Sequence, residues 1–128
     1  MSNELLFTLV CDDVRIEQSQ KILIVGLYNK IINFRPVPTG PPTLILPQLC
    51  MFRRWRVESP GTIVKTVLID PKLKRTLLRD VSLQLPADGS YFQDVLVFPG
   101  MVLQVGEYTI KSEWDSFQHE TYFQVTIG

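Results

Sequence analysis

The single histidine, His119, lies beside Asp115, Ser116 and Glu120 in "WDSFQHET", the residue types of an acyl-transfer triad. A triad works because nucleophile, base and orienting acid come from separate elements and converge on one point. Neighbours along one hairpin do not converge in that way, and the chain has no G-x-S-x-G turn to expose a serine. His119 is therefore read as an exposed hairpin residue. The two cysteines, Cys11 and Cys50, lie in the apolar runs "FTLVC" and "PQLCMF", with neither C-x-x-C spacing nor a neighbouring base. They read as buried structural thiols, and with one histidine they do not make a zinc set. Asp12, Asp13 and Glu17 are the remaining candidates, as acid, base or metal ligands. A loop for a hard cation needs several oxygens and a sharp glycine turn, whereas "CDDVRIE" has no glycine and an arginine at its centre. No phosphate-cradling glycine pattern occurs. The expectation is a protein without catalysis, cofactor or metal.

The elements around these residues repeat at period two, not 3.6. "RDVSLQLPADG" alternates Val81, Leu83 and Leu85 with Asp80, Ser82 and Gln84 before an Asp88-Gly89 turn. "GEYTIKSEWD" sends Tyr108, Ile110 and Trp114 inward, and "ETYFQVTIG" does the same with Phe123, Val125 and Ile127; a turn at Asp115-Ser116 joins them as a closing hairpin. Pro60-Gly61 and Pro71 mark further turns. Short strands follow one another, bounded by Gly, Pro, Asp and Ser: Leu5 to Cys11, Val14 to Glu17, Lys21 to Tyr28, Gln48 to Val57, Thr62 to Ile69, Arg79 to Leu85, Tyr91 to Phe98 and the final pair. Such spacing without helices predicts an all-β, antiparallel two-sheet β-sandwich, with a closed barrel as the alternative.

In the head, "VRIE" and "KILIVGLY" are joined by "QSQ", so Lys21 should face Glu17 as a cross-strand ion pair. Asp12 and Asp13 would make a bulge or kink, and Gly26, in an otherwise apolar strand, marks a close backbone approach or a second bulge. "FRPVPTGPPTLILP", Phe34 to Pro47, holds five of the nine prolines. It is expected as an extended crossover between the sheets, or as a stiff ledge presenting Val37, Leu44 and Ile45 to a partner.

The 128 residues make one domain, residues 1–128, with 45% hydrophobic content to build a core; thirteen basic and thirteen acidic side chains cancel. No overall field draws the chain to nucleic acid or an anionic membrane. The head lacks a basic lead and a long apolar segment, so the expectation is a cytoplasmic protein with reduced thiols.

The order C-D-x-V-R-x-E from Cys11 to Glu17, then Lys21, G-x-Y at Gly26 to Tyr28, a proline-rich link, Asp70-Pro71 after a strand, and a late G-x-Y at Gly106 to Tyr108 resembles an uncharacterised family of small bacterial proteins. The likeness spans nearly the whole chain, with Gln20 where the family's first turn usually carries glycine. It implies an immunoglobulin-like β-sandwich and no established activity. The late G-x-Y also resembles the tyrosine that pins a corner in such sandwiches.

"CMFRRWRVE" is the most unusual strand. Met51, Arg53, Trp55 and Val57 share one face, and Phe52, Arg54, Arg56 and Glu58 the other. Arg and Trp are enriched where interfaces bind tightly. Phe52, Arg54, Trp55 and Arg56 are therefore the candidate partner-binding residues of a protein-interaction module that holds another protein or a second copy of itself. A solvated face with Arg53 stacked on Trp55 is the plainer reading. A carbohydrate or nucleic-acid binder using Trp55 or Tyr91 as a platform is the alternative, disfavoured for nucleic acid by the neutral charge.

Overall fold

A computed structural model describes residues 3–18, 21–35, 38–40, 43–58, 61–82 and 91–128, with 77–82 described by their backbone alone. Among the described residues nine strands form: β1 (Glu4–Ile16), β2 (Ile22–Leu27), β3 (Ile31–Phe34), β4 (Thr43–Arg56), β5 (Ile63–Ile69), β6 (Arg75–Ser82), β7 (Tyr91–Gln104), β8 (Gly106–Trp114) and β9 (Phe117–Ile127). The front sheet has the order β2-β1-β4-β7, and the back sheet β3-β9-β8-β5-β6. The result is an open two-sheet sandwich. One pairing departs from the expected antiparallel arrangement: β3 runs parallel to β9.

Several boundaries differ for identifiable reasons. Asp12 and Asp13 do not split the first strand; β1 runs straight through them in constant register with β2. Asp12 lies opposite Gly26, whose φ is +66°, and a Cβ on that glycine would sit 2.2 Å from the carboxylate. Close approach is therefore what the glycine provides. The bulge of β1 falls instead between Leu5 and Phe7. The first hairpin closes through Glu17 N–H to the Lys21 carbonyl at 2.9 Å. Among the described residues the ion pair there is Arg15 with Asp13, at 3.1 Å along one strand, not Glu17 with Lys21.

The link from β3 to β4 does cross from the back sheet to the front one. It is shorter than expected, because Thr43 to Leu46 already pair with Gln104 to Met101. Leu44 packs against the core, Ile45 is exposed, and Val37 lies outside the described residues, as do Leu83–Leu85, Ser59-Pro60 and the Asp88-Gly89 turn. The Asp70-Pro71 turn forms, with Asp70 Oδ1 accepting the N–H groups of Lys72 and Lys74 at 2.9 Å each. The β8–β9 hairpin turns at Asp115-Ser116 in the expected register. Ile127 is exposed, because β9 overhangs the last β8 partner at Val125.

Among the described residues the interior has two apolar clusters. The larger gathers Val10, Met51, Leu96, Leu103, Ile110 and Phe123, with the Tyr108 and Phe123 rings stacked at 5.2 Å. The smaller centres on Trp55 and Trp114, edge to face at 4.9 Å, a geometry that contributes about 0.5–1.5 kcal/mol beyond burial.

Candidate functional site

Between the two clusters runs a polar belt. Register places Thr8, Arg53 and Asp94 side by side across the front sheet, and His119, Ser112 and Thr66 across the back sheet. Arg53, fully buried, closes the gap: its Nε and Nη2 donate to the Asp94 carboxylate, and its Nη1 donates to Thr66 Oγ1 at 2.9 Å and Ser112 Oγ at 3.1 Å. Trp55 Nε1 donates to the same carboxylate at 2.9 Å, and the guanidinium stacks over the Trp55 ring at 5.4 Å. The expected Arg53–Trp55 stacking is present, but inside the protein. A guanidinium is tolerated there because every side of it has a partner.

Trp55 is therefore removed from the candidate surface: it is 0% exposed and faces the interior. Its burial follows from its sharing a strand face with Met51 and Val57, both interior. His119 also departs from the hairpin-surface reading, being half-buried on the inner face, with Nδ1 shielded from solvent.

Phe52, Arg54 and Arg56 do share the outer face of the front sheet. Phe52 is packed under the Phe7 ring, 5.9 Å between centroids. Arg54 stacks over Tyr91 at 5.0 Å, and Arg56 pairs with Glu4 at 2.8 Å. The two arginines form a rim. What they border is an apolar field that the sequence reading did not assemble.

Directly opposed strand residues share a face. One row runs Leu27, Cys11, Cys50, Val97 across all four strands, and the next runs Leu9, Phe52, Val95. Val25 and Leu23 extend the field along β2. Leu27 is 54% exposed and Val97 43% exposed, so the row is capped by open aliphatic side chains at both ends. The missed signal lay in "LLFTLVC", "ILIVGL" and "VLVF", which lack the alternation of a half-solvated strand and read as strands covered on both faces.

The thiols in the middle of this face are chemically quiet. Burial, with Cys50 and Asp12 adding to it, pushes Cys11 up to about 11, and burial raises Cys50 as well. Gln48 closes over them, donating through Nε2 to Cys50 Sγ at 3.4 Å and to Asp13 Oδ1 at 3.2 Å. Such protonated thiols are poor nucleophiles and serve as packing. Among the described residues no group of His, Cys, Asp and Glu is arranged to hold a metal, and no helix is long and apolar enough to cross a membrane. Matched against protein-family models and against the sequences of curated proteins, the chain returns no match.

Proposed function

We propose that this protein is a non-catalytic interaction module that holds a protein partner, another chain or a second copy of itself, on the outer face of its front sheet. The observation that carries the reading is the pair of cross-strand rows through Cys50 and Phe52, seven apolar side chains in register on a face turned away from the core. Cys11, Cys50 and Phe52 at its centre are buried within the chain, while Phe7, Leu23, Leu27 and Val97 around them are exposed, and an exposed apolar ring of that kind supports a surface that is covered in use. Arg54 and Arg56 then supply the polar rim that selects orientation and partner.

The strand order supports the immunoglobulin-like form of the sandwich. β1, β4 and β7 correspond to its A, B and E strands, and β9, β8, β5 and β6 to G, F, C and C′, with β3 as a second part of A running beside G. Tyr108 supports it too: its hydroxyl accepts the Gln104 N–H at 2.8 Å, across the corner between β7 and β8. In a bacterial cytoplasm Cys11 and Cys50 would stay reduced.

Leu27→Lys with Val97→Lys tests the reading, since both side chains are already half open and their replacement leaves the core intact. Light scattering across a concentration series, with native-lysate capture alongside, should show association in the wild type and its loss in the variant at an unchanged melting temperature. The same partners on both proteins, or none on either, would end the proposal. A polyanion held by Arg54 and Tyr91 is the other outcome, recognisable by steep weakening with salt.

A further inference from the structure

The sandwich is open along one side. β2 covers β1 only from Cys11 to Ile16, and β3 covers β9 only from Gln124 to Ile127. Among the described residues, the front part of β1 and the Phe117–Phe123 part of β9 therefore have no strand beyond them. The two free edges flank a groove of about 320 Å³ whose walls include Phe7, Thr8, Lys30, His119 and Tyr122.

Backbone parity fixes what the β9 edge offers. Gln124 N–H donates to the Lys30 carbonyl, on the side away from β8. Alternation along the ladder then turns the N–H and C=O groups of Gln118, Glu120 and Tyr122 to that same side, into the groove. Among the described residues, two buried side-chain atoms in its walls, Thr8 Oγ1 and His119 Nδ1, find no hydrogen-bond partner, a state that costs about 1–3 kcal/mol per group until something fills it. Lys30 holds a left-handed backbone, φ 65°, at the same place and forms no ion pair with the described residues. Glu120, the one carboxylate in the groove wall among the described residues, is engaged by the Tyr122 hydroxyl.

We propose that this seam accepts an extended segment of a partner protein, which adds as a strand to the free edge of β9 and sets a carboxylate side chain against Lys30, Thr8 and His119. The repeating main-chain donors and acceptors select a peptide over a small anion, because only a strand satisfies all three exposed β9 residues at once. The cation and the two unpaired polar atoms select its acidic residue by charge and hydrogen-bond complementarity. The site meets the apolar front face at Phe7, but the β9 edge, Lys30 and His119 lie outside that face, so either reading can fail alone.

The test uses a panel of short capped peptides alternating aliphatic residues and Thr around a central Asp, each with its Asn counterpart. Binding is followed by amide shifts and hydrogen exchange in the full chain. Protection and shifts are expected at Gln118, Glu120 and Tyr122. Glu120→Pro deletes one outward donor without touching the β8 ladder, and is expected to weaken binding by at least about tenfold. Lys30→Asn keeps a residue that tolerates the left-handed backbone; it should cost the Asp peptides about tenfold and leave the Asn peptides unchanged. Should the proline variant fail to melt cooperatively, the lysine variant decides. No saturable binding at millimolar peptide, shifts confined to the front face, or equal affinity for Asp and Asn peptides would overturn the proposal.

Discussion

The outer faces of the two sheets are built on opposite rules. On the back sheet, Lys65, Glu113 and Gln118 lie in one row and Lys111 and Glu120 in the next, with Arg75 reaching Glu113 at 2.8 Å. On the front sheet the equivalent positions carry Leu, Cys, Phe and Val. Both sheets contribute alike to the interior, so core packing does not explain the difference. On the function proposed above, it lies in what each outer face meets: water for the back sheet, and a partner's surface for the front one.

The sharpest way to break the comparison is at the joint the two sheets share. Asp94→Ala leaves Arg53 charged, buried and without its carboxylate, and a loss of about 3–5 kcal/mol is expected in urea unfolding. Replacing Arg53 and Asp94 together by Met and Leu should recover most of that loss, since the penalty belongs to the orphaned charge. A smaller effect is expected within the front sheet. Gly26→Ala forces a Cβ onto the Asp12 carboxylate at positive φ and should cost about 1–3 kcal/mol by thermal melting, with Asp12→Ala partly restoring it.

The least effect belongs to the back face. Partial burial raises the Glu113 pKa, but hydrogen bonds from Arg75 and Lys111 outweigh it and hold the carboxyl below its usual value. A depressed pKa adds stability above the unfolded-state value, and that contribution fades as pH falls through the folded-state one. Because the site is open to solvent, Glu113→Gln should cost less than about 1 kcal/mol, and the difference from wild type should vanish in acid titration below the ordinary glutamate range. A large Glu113 effect would mean that the back face, too, is structurally committed.

Much of this was legible in the chain. Alternation at Tyr108, Ile110 and Trp114 and at Phe123 and Val125 placed the closing hairpin, because one wet face and one dry face print a period of two. The front sheet carries no such print. Strands apolar on both sides give unbroken runs, from which the existence of a strand follows but not its register, and register is what brings Cys11, Cys50 and Val97 into line. β3 escaped notice because four residues are too few for a period. Trp55 and Arg53 were recognised as unusual and placed on one strand face; that the face looked inward depended on Asp94, forty-one residues beyond Arg53.

The parallel pairing of β3 with β9 sets a clock on how this chain acquires its shape. Asn33 and Thr126, bonded across that pair, are separated by 93 residues, so the ladder forms only after nearly everything between them has been made and has found its place. Contacts of such span slow folding, because the chain entropy of the long loop is lost before the contact returns anything. Until β9 docks, β3 lacks its ladder partner and β8 keeps a bare edge. A chain that has not yet docked β9 therefore still offers the β8 edge to mispairing.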